Sequence, residues 1–335
     1  MTHVDPTATL LSPARAAEIA GRFAGARVVV LGDLMMDRFL WGSVTRISPE
    51  APVPVVRVER ETLSLGGAGN VAQNIAALGG QVRPIGLQGE DSEGGQMAAL
   101  FQAAGMPVDG LVRVPGRVTT VKTRIVAHHQ HVVRFDREED AAVESSVTSG
   151  LGRRAVAALE GAGALVVSDY DKGALSAELL AAVLPEAAKR RLPVVVDPKL
   201  RLLPHYHPVT VVTPNTREAA EATGLRLKSD ADVEAAGRAL VARLRCPWLL
   251  ITRGERGMLL VPEQGPSIAV PTRAREVFDV SGAGDTVVAV LALALASGAE
   301  MPEAVALSNL AAGVVVGKLG TATVSRAELL AAVGD

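Results

Sequence analysis

The feature that most constrains this chain is a repeated alternation of short, β-branched apolar runs with longer stretches rich in Ala and Leu. The runs are Val28–Leu31, Val82–Leu87, Leu165–Ser168, Val194–Asp197, Thr210–Thr213 and Leu249–Thr252, each closely followed by Gly, Asp or Pro. Helices are expected over Val71–Leu78, Gly94–Ala104, Ser146–Leu159, Ala177–Arg190, Asp230–Leu244, Ala283–Ser297 and Pro302–Lys318, and Ser12-Pro13 opens another as N-cap and first residue. Strands apolar on both faces must be covered on both faces, which calls for a doubly wound, mostly parallel α/β sheet. Ligands of such sheets lie beyond the carboxyl ends of the strands.

Two segments break the alternation. Phe39–Leu65 and Val112–Phe135 carry β-propensity with polar alternation and no crossover-helix pattern. Both are expected to form antiparallel strands of a small accessory sheet. With no repeat or long linker, residues 1–335 read as a single domain with lid segments at about 39–65 and 112–135.

Charge and composition narrow the function classes. The 34 basic and 36 acidic side chains give a net charge of −2, and there are only two Trp, two Tyr and five Phe. Neither nucleic acid nor an anionic membrane is an expected partner. A single cysteine, Cys246, excludes an internal disulfide framework and suits a reducing compartment. The most apolar run, Val287–Ala296, is far shorter than the ~20 residues of a bilayer span. No targeting segment is visible at the start, so a cytoplasmic location is expected. His128, His129 and His131, and His205 with His207, have no carboxylate or Cys partner at ligand spacing, so no protein-held zinc is expected.

The strongest local motif is DVSGAGDT, Asp279–Thr286, directly before an apolar helix. Gly282, Ala283 and Gly284 can turn backbone N–H groups outward at a helix N-terminus, an anion site. Asp285 then either accepts a proton from a hydroxyl attacking a phosphoryl group held there, or simply complements the helix dipole. In SLGGAGNVAQN, Gly66 and Gly67 permit close approach of the backbone to a ligand, and Asn70 suits neutral hydroxyls; a glycine-rich turn capped by Asn is the alternative. Asp33 and Asp37 in GDLMMDRF follow the first strand, where they could grip vicinal hydroxyls or act as turn residues. Asn215 and Glu218 in TPNTREA form a capping box, and Glu218 could also organise Mg²⁺ through water. Lys172, Lys199 and Arg253 each follow a strand and together suggest a site for several phosphates.

In this order and spacing, the GGAGN helix start, the TPNTRE segment and the DVSGAGD helix start resemble the ribokinase/PfkB family of small-molecule kinases, from about Arg27 to Ser325. The resemblance implies a ribokinase-like α/β domain with a β-sheet lid. It implies that Asp285 is the catalytic base, that Gly282, Ala283 and Gly284 form the anion hole, and that Asn215 and Glu218 lie near Mg·ATP. GDLMMDRFLWGSVTRISPEAPVPVV, SDYDKGAL, DPK, EVFDVSGAGDT and GVVVGKLGTATVS resemble the branch that phosphorylates D-glycero-β-D-manno-heptose 7-phosphate at its anomeric hydroxyl, on the route to ADP-heptose for lipopolysaccharide.

On that reading ATP lies near Asn215, Glu218, Thr252, Arg253 and Gly254, with Mg²⁺ reached by Glu218 through water. The sugar lies under the lid with Asp33, Asp37, Asn70, Gly66 and Gly67. Lys172 and Lys199 are expected on the sugar's phosphate, with Arg46 and Arg134 as further lid cations. An anomeric hydroxyl is already relatively acidic, so Asp285 needs no raised pKa. The resemblance also brings a monovalent cation near Asp279, a homodimer, and a stand-alone kinase whose product passes to a separate nucleotidyltransferase.

Overall fold

A computed structural model describes residues 10–128, 130–273 and 277–334; His129 of the histidine group lies outside them. In chain order the strands are β1 (Arg27–Gly32), β2 (Leu34–Ile47), β3 (Pro54–Gly67), β4 (Gln81–Gly89), β5 (Leu111–Val114), β6 (Val121–Ala127), β7 (Gln130–Arg137), β8 (Ala164–Ser168), β9 (Val194–Asp197), β10 (Val211–Val212), β11 (Trp248–Thr252), β12 (Met258–Pro262) and β13 (Ile268–Val270). The helices are α1 (Pro13–Gly21), α2 (Ala68–Ala77), α3 (Ser92–Ala103), α4 (Ser145–Ala158), α5 (Ala177–Lys189), α6 (Thr216–Thr223), α7 (Asp230–Leu244), α8 (Ala283–Ala296), α9 (Met301–Val315) and α10 (Arg326–Gly334).

Nine strands form the main sheet in the order β13-β12-β11-β10-β9-β8-β1-β4-β5. From β11 to β5 every pairing is parallel; β12 and β13 run antiparallel at one edge. The order reverses between β8 and β1, since the chain leaves β1 toward β4 and returns through β8 to the other side. That crevice is where such a sheet leaves room for ligands.

Apolar layers fill both faces. Val28, Val30 and Val166 pack with α2, α8 and α9, and Val29, Leu31, Val167 and Val196 pack with α4, α5 and α7. Residues 285–294 of α8 are all buried, so this helix is apolar on every side because it lies between the sheet and other helices. Its burial fixes the position of its N-terminus at the crevice.

A separate four-stranded sheet, ordered β3-β2-β6-β7, stands over the strand ends. Two expectations are corrected here. Val112–Val114, placed in the lid from its β-propensity, belongs with Leu111 to β5 at the edge of the main sheet, paired parallel with β4. Propensity specifies an extended backbone but not the sheet that will accept it. The lid is also not wholly antiparallel, because β2 pairs with β6 in parallel while the β2–β3 and β6–β7 pairs are antiparallel. Among the described residues no helix is long and apolar enough to cross a membrane.

Candidate active site

Asp285 lies in the first turn of α8, only 5% exposed. Asn70 Nδ2 donates to its Oδ2 at 2.7 Å, and the Tyr170 hydroxyl donates to its Oδ1 at 2.6 Å. Burial pushes the carboxyl up to about 6, against the Tyr170 and Asn70 bonds that favour its charged form. The acidity of an anomeric hydroxyl does not require this shift; it arises because a helix end enclosed by apolar packing desolvates its own carboxylate. Behind Asn70 a buried polar ladder ties α2 to α8, with Asn74 Nδ2 donating to Asn70 O at 3.0 Å and Thr286 Oγ1 to Asn74 Oδ1 at 3.1 Å.

Gly282 is the N-cap of α8 with φ 77°, and a Cβ there would stand 2.5 Å from Asn70 Nδ2. Only glycine satisfies both the left-handed backbone and the close approach. Ala283 and Gly284 follow in the first turn, so the three residues lie together at the helix N-terminus beside Asp285.

Asp37 is buried on β2 and ion-paired with Arg124 of β6. A Cβ on Gly66 would lie 2.6 Å from Asp37 Oδ2, so the glycine of β3 makes room for this carboxylate. Gly67 ends β3 and is the N-cap of α2. Asp33 takes the turn role. It is 1% exposed, and its carboxylate accepts backbone N–H groups from Tyr170 (2.8 Å), Lys172 (3.2 Å) and Ala174 (3.0 Å). Burial raises its pKa against those three bonds. Asp33 organises the loop after β8, the turn role left open above, because β8 is the immediate neighbour of β1.

The cations separate into two groups. Lys172 Nζ pairs with Glu138 at 2.9 Å, beside the lid. Lys199 pairs instead with Glu218, and its Nζ lies 5.6 Å from the Tyr170 ring centroid. The expectation that Lys199 joins Lys172 is therefore corrected: β9 lies two places from β1, next to β10 and the helix that carries Glu218. Arg46 is exposed at the far end of β2, nine positions beyond Asp37 and so roughly 30 Å along the strand. It does not reach the carboxylates of Asp37 and Asp285. Arg134 stands opposite Arg124 across the β6–β7 ladder, with its Nε on Asp136 Oδ1 at 2.9 Å.

On the other side Asn215 caps α6 with Glu218 as its reciprocal partner. Glu218 N donates to Asn215 Oδ1 at 2.9 Å and Asn215 N to Glu218 Oε2 at 3.0 Å. Thr252 joins the same corner, accepting Thr216 Oγ1 at its carbonyl (3.2 Å). Gly254 is exposed, whereas the Arg253 guanidinium is turned to Asp230 of α7 at 2.8 Å and its side chain is only 6% exposed. Asp279 accepts Ser281 N at 2.9 Å and Gly320 N at 3.0 Å, which joins the loop before α8 to the one after α9. Burial opposes ionisation of Asp279, but these bonds hold its carboxyl below the usual range.

Four groups in this region were not singled out from sequence. Tyr170 is the aromatic that follows β8 in SDYDKGAL. Asp197 ends β9, and desolvation pushes its carboxyl well up. Lys122 and Arg124 share the face of Asp37, with Lys122 3.6 Å from Asp136 and 3.9 Å from Glu138. The i, i+2 spacing of the cations in VKTRIV was the available signal. Among the described residues no group of three or more His, Cys, Asp or Glu is arranged to hold a metal ion.

The family model for pfkB family carbohydrate kinases matches residues 26–328. The chain is 48% identical over 323 residues to the "Bifunctional protein HldE" of Caulobacter vibrioides, covering 94% of this chain and 65% of that one. It is 46% identical over 331 residues to the HldE of Rhodospirillum rubrum, covering 98% and 65%. It thus spans somewhat under two thirds of the length of these relatives. Escherichia coli phosphofructokinase-2, in complex with potassium, superposes with TM-score 0.77 at 22% identity, covering 92% of this chain and 98% of that one. Arabidopsis thaliana ribokinase, complexed with ribose and ATP, does so with TM-score 0.71 at 19% identity, covering 92% and 98%.

Proposed function

This chain belongs to the pfkB family of carbohydrate kinases, and from that premise we propose that it transfers the γ-phosphoryl group of ATP to the anomeric hydroxyl of D-glycero-β-D-manno-heptose 7-phosphate. The observation that carries the chemistry is a buried carboxylate, Asp285, held by two neutral donors at a glycine-formed helix N-terminus. The heptose rests on the segments quoted above and on the identity to the HldE proteins.

In the proposed reaction Asp285 takes the anomeric proton as the sugar oxygen bonds to the γ-phosphorus and the bond to the β-phosphate oxygen breaks, releasing ADP. Backbone N–H groups of Gly282, Ala283 and Gly284 stabilise the charge on the transferring group. Asp37, Asn70 and the backbone at Gly66 and Gly67 orient the sugar. Lys122 and Arg124 of the lid and Lys172 of the loop after β8, with Arg134 at the margin, supply the cations for its 7-phosphate, which would compete with their present partners Asp37, Asp136 and Glu138. Lys199 and the Asn215–Glu218–Thr252–Gly254 corner line the nucleotide side. Mg²⁺ entering with ATP would neutralise phosphate charge; both Glu218 oxygens are engaged by Lys199 and Asn215, which fits contact through water rather than direct ligation.

By family resemblance a monovalent cation sits near Asp279 and the enzyme is a homodimer. The direct test is ATP consumption across a panel of sugar phosphates, with phosphorus NMR locating the new phosphate. Acceptance of the heptose 7-phosphate with a new phosphate at C1 is expected. No turnover of it, or a phosphate at another carbon, overturns the assignment.

A further inference from the structure

The loop after β8 is built with more constraint than a connection needs. Three alternate backbone N–H groups, of Tyr170, Lys172 and Ala174, converge on the Asp33 carboxylate. Between them Asp171 takes a left-handed backbone, φ 56°, and donates its N–H to Asp169 Oδ1 at 2.7 Å. From outside, Arg117 donates to the carbonyls of Lys172, Glu139 (2.8 Å) and Ala141 (3.2 Å). What this clamp fixes is the Tyr170 hydroxyl, 2.6 Å from Asp285 Oδ1, with the phenol ring against Lys199.

We infer that Tyr170 is a positioning residue for phosphoryl transfer, and that Asp33 acts through it by clamping the loop that carries it. The inference rests on reading Asp285 as the base. Each carboxylate oxygen has two lone pairs, and Asn70 and Tyr170 take one on each oxygen. The plane of the carboxylate is thereby fixed, and one lone pair on each oxygen remains for the acceptor hydroxyl. The phenol stays a neutral donor, because burial beside Asp285 and Asp197 raises its proton affinity far above the usual value. A donor of this kind favours ionised Asp285, as Asn70 and Lys199 do, whereas Asp37 opposes ionisation.

Tyr170→Phe keeps the ring and removes the donor. It is expected to lower kcat about 10- to 100-fold, with KM for both substrates within about threefold. The acid limb of kcat should move to higher pH. Asp33→Asn should change kcat and the limb in the same direction, and should add little in the Tyr170→Phe background, because both act on one contact. A Tyr170→Phe enzyme within twofold of the parent with an unmoved limb overturns the inference, as does a loss confined to KM. So does an undiminished further loss from Asp33→Asn in that background. Carboxyl ¹³C NMR of Asp285 without substrate supplies a readout independent of turnover. Its titration should move up in Tyr170→Phe, and an unchanged titration overturns the inference. If the parent protein phosphorylates no sugar, the kinase reading fails while this titration still reports on Tyr170.

Discussion

At Asp285 two opposing effects meet on one carboxylate: burial favours the protonated form, and the Tyr170 and Asn70 donors favour the charged one. A base must be ionised to act, so turnover should rise with pH through the region of about 6 and level off above it. The pH profile of kcat/KM, which reports groups of the free enzyme, checks this. Asp285→Asn should retain both substrates but lose at least ~10²-fold in kcat, measured by steady-state kinetics beside binding calorimetry. On the lid, Arg124→Ala or Lys122→Ala is expected to raise KM for the phosphorylated sugar by about tenfold or more, leaving KM for ATP little changed. Asp285 was legible because glycines, helix start and carboxylate are contiguous in sequence. Tyr170 was not, since its partner lies 115 positions away and a lone aromatic after a strand announces nothing. Asp33 stayed open between hydroxyl grip and turn residue for a related reason: a carboxylate after a strand looks the same whether it faces a ligand or a neighbouring loop.

Helix ends and strand registers carry the next level. Asn215→Ala removes the reciprocal cap of α6 and should cost about 1 kcal/mol of stability by chemical denaturation. It should also raise KM for ATP, because the first turn of α6 loses the Asn215 Oδ1 acceptor that anchors Glu218 N and so holds Glu218 beside Lys199. The capping box was readable from NTRE alone, as its partners are three residues apart. The pairing of Lys199 with Glu218 was not, because it depends on β9 and β10 being neighbours. Likewise the β6 alternation placed Lys122 and Arg124 on one face, but the parallel β2–β6 pairing decided that Asp37 shares it.

Across the whole molecule a near-neutral chain still places Lys122, Arg124, Lys172 and Lys199 around the proposed site, so net charge carried no hint of them. Val133 (48% exposed) and Phe135 (53% exposed) alternate with Arg134 and Asp136 and so lie on the opposite, outer face of the lid. If the lids pair to cover such apolar groups, light scattering should give a dimer mass, and Val133→Asp with Phe135→Asp should reduce it to the monomer. A monomeric parent protein would refute the pairing. By itself the sequence determined the α/β class, the positions of the parallel strands other than β5, the capped helix starts and the glycine–aspartate motif, because each is written in residues a few positions apart. Tertiary structure alone decided that Asp33 clamps a loop, that Leu111–Val114 joins the main sheet, and that Lys199 faces Glu218. It also decided that Tyr170 holds Asp285. Those outcomes depend on strand order and burial, which bring together residues that no local pattern connects.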